Sequence, residues 1–232
     1  MRGQPGQRHS FSGMARSKKR LAHGPWLLGV VALSTQGACR SLPSLSPEEA
    51  GAVVRIEVDD VPVCMGTVVD DGWVLTARHC VTAPDRVTVL ASRLRVRNGD
   101  SVFVVDEVSV QALGHEFDRH DQLEVQDLAG ADIALVRVPS LVASLQVAND
   151  VSGELFALGS QQLRRVAVLS IEERQVFTTG LTCQGDSGGP LFDAQRRVVG
   201  VASWRTPGAC GTGTSVFTRV SAHRGWIDVT VR

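Results

Sequence analysis

The sequence predicts an all-β fold built in two successive halves and closed by one C-terminal helix. Short β-prone runs recur at regular spacing, turn signals rich in Gly, Asp and Asn separate them, and strand does not alternate with helix as it would in an α/β protein. The 232 residues are enough for one large or two small all-β domains with a real core.

The first 38 residues differ from the rest. They hold six basic residues (Arg2, Arg8, Arg16, Lys18, Lys19, Arg20) and no acid, and Arg16–Arg20 is followed by the apolar run 25–33, Pro-Trp-Leu-Leu-Gly-Val-Val-Ala-Leu. A basic head, a short apolar middle and small residues have the form of a secretory signal, with Met14 a candidate start; the run is too short to span a bilayer. The chain is formally neutral, but beyond residue 38 eighteen basic residues stand against twenty-four acidic ones, which argues against nucleic-acid binding. Residues 39–50, with Pro43, Pro47 and several serines, read as a linker.

From residue 51 the runs are Val53–Val58, Met65–Val69, Trp73–Thr76, Val87–Leu90, Leu94–Val96, Val102–Val110 and Ile133–Val138, with turns such as Asp70-Asp71-Gly72 and Asn98-Gly99-Asp100 between them. This is the pattern of a small barrel or sandwich. A second series follows at Leu155–Leu158, Val166–Ile171, Gln175–Thr178, Pro190–Phe192, Val198–Trp204 and Thr214–Phe217. Ser221–Val229, with Trp226 and Ile227 on one face, reads as a helix.

Chemistry concentrates at Thr182-Cys183-Gln184-Gly185-Asp186-Ser187-Gly188-Gly189-Pro190. Gly185 allows a tight backbone turn in which its N–H and that of Ser187 can face one point, as an oxyanion beside the Ser187 hydroxyl requires. A glycine-rich hairpin with a solvated serine is the plainer reading of those residues alone. A serine hydroxyl needs a base and a group that orients the base. His79, in Trp73-Val74-Leu75-Thr76-Ala77-Arg78-His79-Cys80, ends an apolar strand; Asp132, in Ala131-Asp132-Ile133-Ala134-Leu135, is an acid among apolar neighbours at a strand entrance.

The segments Thr76-Ala77-Arg78-His79-Cys80, Asp132-Ile133-Ala134-Leu135 and Gly185-Asp186-Ser187-Gly188-Gly189-Pro190 resemble the three signatures of the trypsin/chymotrypsin family of serine proteases, in that family's order. The resemblance implies two six-stranded antiparallel Greek-key barrels, about 51–145 and 146–220, and a packed-back helix at about 221–231, with the site in the cleft between the barrels. It implies a Ser187-His79-Asp132 triad, an oxyanion hole from the amides of Gly185 and Ser187, and disulfides Cys64–Cys80 and Cys183–Cys210. It also implies a monomeric endopeptidase acting on polypeptide, with no cofactor or metal. Export agrees with paired cysteines.

Cys39 is left over. With Gln36-Gly37-Ala38 before it, it resembles the lipid-attachment cysteine of bacterial lipoproteins, which would tie the chain to a membrane, although Gln36 stands where an apolar residue is usual. Ordinary signal cleavage near residue 37 or 38 with a free thiol, or an intermolecular bridge, are the competing readings.

By the same resemblance Leu181 lies at the floor of the specificity pocket, Ser203 beside the buried aspartate, Trp204 and Arg205 along the substrate's main chain, and Arg205 and Ser215 at the pocket walls. Leu181 disfavours cleavage after Arg or Lys and favours small or apolar residues, with acidic ones second. The family's Ile-Val-Gly-Gly terminus, which pairs with the aspartate before the nucleophile, has no counterpart before Cys64, so Asp186 needs another partner and activity without activation cleavage is expected. The loop Gly114–Asp121, with His115, Glu116, Asp118, His120 and Asp121, carries ligand types without a defensible metal spacing and reads as a solvated acidic loop. The rival from another class is an exported binding or scaffold module that keeps the barrels without proteolysis.

Overall fold

The strands form two antiparallel sheets in the computed structural model, which describes residues 44–82, 88–111 and 131–232. The leader, Cys39 and the loop Gly114–Asp121 lie outside the described residues. The first sheet comprises β1 (Val53–Val58), β2 (Val61–Asp70), β3 (Trp73–Thr76), β4 (Leu94–Asn98), β5 (Ser101–Val104), β6 (Glu107–Val110) and β7 (Ala134–Arg137), in spatial order β5-β4-β1-β2-β3-β7-β6. The second comprises β8 (Leu155–Gly159), β9 (Gln162–Val166), β10 (Val168–Ile171), β11 (Gln175–Thr179), β12 (Pro190–Phe192), β13 (Val198–Arg205) and β14 (Thr214–Arg219), in order β10-β11-β14-β13-β12-β8-β9.

Each sheet has seven segments where the family resemblance implies six strands, and in each the extra one comes from a broken strand. The run Val102–Val110 is interrupted at Val105-Asp106; its first half pairs with β4 and its second with β7. The two outer segments of the first sheet are therefore consecutive in the chain, and the sheet curls back on itself. In the second sheet Ala167 breaks one run into β9, paired with β8, and β10, paired with β11. Merging each broken strand gives both sheets the same cyclic order of six, with β4 and β12 returning beside β1 and β8 in Greek-key fashion. The predicted strand at Val87–Leu90 survives among the described residues only as a bridge from Thr88 to Thr82.

Turn chemistry sets the registers. Asp59 and Asp60 at the β1–β2 turn, and Ser160 and Gln161 at the β8–β9 turn, all have positive φ, as two-residue primed hairpins require. Alternate residues then point inward: Val54, Ile56, Val74, Leu94, Val96 and Leu135 are buried in the first barrel, and Leu155, Ala157, Val176, Leu191 and Phe217 in the second. Phe192, Val198 and Val201 of the second sheet join the first barrel's cluster, so the barrels share packing.

The segment read as a linker ends in a helix, α1 (Pro47–Ala52). Ser46 Oγ accepts the Glu49 N–H at 3.2 Å while Glu49 Oε2 accepts the Ser46 N–H at 2.6 Å. This capping box, with Pro47 at the first helical position, was legible in Ser46-Pro47-Glu48-Glu49. At the other end a 3-10 turn, Val220–His223, leads into α2 (Arg224–Thr230), which buries Ile227. Among the described residues no helix is long and apolar enough to cross a membrane.

Candidate active site

His79 is delivered by the end of β3. Thr76 closes the strand, its hydroxyl donating to the Met65 carbonyl at 2.7 Å, and the chain turns into a 3-10 helix, Arg78–Cys80. Cys80 is bonded to Cys64 on β2, which pins that turn to the sheet.

Asp132, one residue before the Ile133–Val138 run, is fully buried. Its Oδ1 accepts the backbone N–H of His79 at 2.9 Å, and its Oδ2 lies 2.7 Å from His79 Nδ1. A carboxylate only accepts, so Nδ1 is the donor, and in the neutral ring Nε2 is left with its lone pair. The Ser203 hydroxyl donates to the same Oδ2 at 2.6 Å, and the Thr218 hydroxyl donates to the Asp132 carbonyl at 3.0 Å. Both hydroxyls come from the second barrel, on β13 and β14, so the acid of the first barrel is locked to both halves. Thr218 gave no signal in the sequence, being one of several threonines in β-prone runs.

Ser187 is brought to the same junction by its backbone. Its carbonyl accepts the Met65 N–H at 2.7 Å, and Gly188 N–H donates to the Ala202 carbonyl at 2.8 Å. Gly188 has φ +79°, and a Cβ there would lie 2.1 Å from the Met65 carbonyl oxygen and 2.2 Å from Thr76 Oγ1. Only glycine lets the Ser187 loop cross this close to β2 and the end of β3, three residues before His79. Nε2 of His79 lies 3.8 Å from Cys80 Sγ, and among the described residues no hydrogen bond joins it to Ser187 Oγ.

Gly185 has φ +92° and open space around it. Among the described residues neither its N–H nor that of Ser187 has a protein acceptor. Asp186, between them, is buried. Its carboxylate accepts the Ser160 N–H at 3.0 Å on both oxygens and the Cys183 N–H at 2.7 Å. The primed turn at Ser160-Gln161 aims that amide. Sequence reading missed this partner because Ser-Gln is a weak signal for a primed turn, and a backbone donor leaves no residue-type signature.

A pocket of about 130 Å3 opens beside Ser187, lined by Thr182, Cys183, Gln184, Ser203, Trp204 and Arg205 among others. Leu181 and Ser215 do not line it. Leu181 packs against the second barrel's cluster beside Gly159. Ser215 is fully buried, its Oγ accepting the N–H groups of Leu181 at 3.0 Å and Thr182 at 3.1 Å and pairing with Thr182 Oγ1 at 2.8 Å. Arg205 folds back, donating to the Gly208 carbonyl at 2.9 Å. Trp204 meets Phe177 edge to face, with ring centroids 6.3 Å apart. The Cys183–Cys210 disulfide ties the Ser187 loop to the segment after β13. Cys64, His79 and Cys80 converge, but both cysteines are committed to the other disulfide pair, which leaves no metal-ligand set there.

A family profile described as a trypsin-like peptidase domain matches residues 64–201. The chain is 25% identical over 229 residues to brachyurin of Leptuca pugilator, covering 83% of this chain and 96% of that protein. It is 29% identical over 216 residues to chymotrypsin-like elastase family member 1 of Macaca fascicularis, covering 72% and 78%. Among solved structures it resembles kallikrein-related peptidase 10 (20% identity, TM-score 0.62, 82% of this chain and 99% of that one) and human heparin binding protein (21%, 0.59, 81% and 94%). At such identities the solved structures speak for the fold alone.

Proposed function

Since the chain belongs to the trypsin-like peptidase family, we propose that it is a serine endopeptidase in which Ser187 is the nucleophile, His79 the general base and Asp132 the group that orients the base. The observation that carries this reading is the Asp132 carboxylate, buried and bonded to Nδ1 of His79, which leaves Nε2 free to take the Ser187 proton. Ser187 Oγ attacks the peptide carbonyl, His79 takes its proton, and the N–H groups of Gly185 and Ser187 hold the oxyanion, each donor worth roughly 10²- to 10³-fold in rate. His79 then returns the proton to the leaving amine, and water repeats the cycle on the acyl-enzyme.

The small pocket, with Thr182 at its wall and Arg205, its one charged lining residue, folded back onto the Gly208 carbonyl, supports cleavage after small uncharged residues. The Ser160 and Cys183 amides on Asp186 support activity without a newly cut N-terminus. Two disulfides and the signal-like leader support export, with Cys39 as the candidate lipid anchor.

The test is labelling by a serine-directed fluorophosphonate together with cleavage-site profiling. Labelling lost in Ser187→Ala and in His79→Ala, with cuts after Ala or Ser, is the expected result. Absence of labelling in folded wild-type protein sinks the enzyme and favours the scaffold reading.

A further inference from the structure

A second pocket, of about 380 Å3, shares Gln184 with the small one and is lined by Gly185, Met65, Gln161 and Arg55 among others. It continues into a neighbouring hollow of about 390 Å3 that shares Arg55, Met65 and Gln161. Residues of a substrate before the scissile bond would follow β13 and the small pocket. The residues after it would then pass Gly185, which lines this groove.

The groove's wall is an interrupted ladder. In the β1–β2 pairing Ile56 faces Cys64 and Glu57 faces Pro62, which leaves Val63 as a bulge without a partner, at the groove's edge. The charges are asymmetric. Asp186 lines the groove but is buried, and its carboxylate is turned onto the amides of Ser160 and Cys183. In the adjoining hollow Arg97 is held by Glu57 at 2.6 Å, and Asp100 lines that hollow as well. Arg55 is exposed on β1, and among the described residues its guanidinium has neither a hydrogen bond nor an ion pair. Arg55 is therefore the one unmatched cation among the described residues that line the two hollows.

We propose that Arg55 is a specificity-determining residue that selects a carboxylate side chain, Asp or Glu, within the first three substrate residues after the scissile bond. This rests on the endopeptidase reading above, and the experiment separates the two. Ser187→Ala protein is titrated with peptides that carry Ala before the bond and Asp or Asn at each of the next three positions, while wild-type and Arg55→Gln proteins are labelled with fluorophosphonate. Asp is expected to bind about three- to five-fold tighter than Asn at one position, the range of a solvent-exposed ion pair. The preference vanishes in Arg55→Gln, turns toward Lys in Arg55→Glu and fades at about 0.5 M salt. Unchanged thermal unfolding and labelling show that the exposed substitutions leave the fold intact. Equal binding of Asp and Asn at all three positions, or a preference retained in Arg55→Gln, overturns the proposal. Normal labelling without the preference refutes Arg55 alone; a preference without labelling refutes the enzyme and leaves a carboxylate-binding groove.

Discussion

The backbone N–H of Ser160 stands 3.0 Å from each carboxylate oxygen of Asp186. Because Asp186 lies between Gly185 and Ser187, whose amides are the proposed oxyanion donors, anchoring its side chain to the β8–β9 turn fixes the direction of both. Asp186→Ala should lower kcat/KM by roughly 10²-fold or more, the value of one lost donor. Ser160→Gly keeps the amide and the positive φ and should stay near wild type, whereas Ser160→Pro removes the N–H and forces φ negative, and should match Asp186→Ala. Protein carrying an acetylated or extended N-terminus should be as active as the processed form; a silent extended form would show that a free terminus is needed after all.

Asp132 and Ser203 should separate cleanly in kinetics. Asp132→Asn changes which nitrogen of His79 carries the proton and is expected to cost about 10⁴-fold in kcat. Ser203→Ala removes one of the hydrogen bonds on a carboxylate that keeps two others, both from His79, so a loss of about ten-fold is expected. Single-turnover rates on protein counted by fluorophosphonate titration make the comparison. Equal losses in the two variants would mean that Asp132 does not act by orienting His79.

The parts legible in the sequence are those encoded by residue type. His79, Asp132 and Ser187 stand in short stretches whose neighbours announce a strand end, a buried acid and a tight turn. The strands follow apolar alternation, and the six-membered barrels are recovered once the breaks at Val105-Asp106 and Ala167 are seen as corners. What stayed hidden depends on which way a side chain or amide faces. Ser215 sits one residue from exposed loop in the sequence yet spends its hydroxyl on Leu181 and Thr182, and Leu181 turns to Gly159 because the second barrel's interior is apolar. The Ser160 amide has no side-chain signature at all.

Gly188→Ala tests the crossing of the two barrels. The new methyl would meet the Met65 carbonyl and Thr76 Oγ1, neither of which can retreat without breaking its own bond, in a backbone conformation with positive φ. Overpacking and left-handed strain together should cost about 3 kcal/mol. The measurement is urea unfolding. Gly99→Ala, also at positive φ but with nothing within reach of the added carbon, should cost about 1 kcal/mol and is the control.

Acid stability should depend in part on Asp150. Its carboxyl is held below the usual 3.8 by the Val151 N–H and then by Arg219, whose Nη2 lies 2.6 Å away and ties residue 150 to the end of β14. A folded-state value below the unfolded one means that this contribution is fully present above the unfolded value and is lost as pH falls through the folded one. The Tm of Asp150→Asn should therefore sit below that of wild type at about pH 6, with the gap closing toward about pH 2. A gap that is independent of pH would assign the effect to packing.

The proposed selectivity for small residues rests on how the pocket beside Ser187 is closed. Its volume of about 130 Å3 is well under the roughly 300 Å3 at which clefts begin to take drug-sized ligands. Thr182 is held in place by Ser215, which is the acceptor for two backbone amides as well as the partner of the Thr182 hydroxyl. Ser215→Ala would strand those amides and should destabilise the protein by about 2 kcal/mol. Thr182→Gly leaves the amide bonds to Ser215 and removes only the side chain that narrows the pocket. Profiling should then show the preferred residue before the bond shift from Ala and Ser toward Val and Leu, by about ten-fold per added methylene accommodated. An unchanged profile in Thr182→Gly, or cleavage after Arg in the wild type, would place the substrate side chain somewhere other than this pocket.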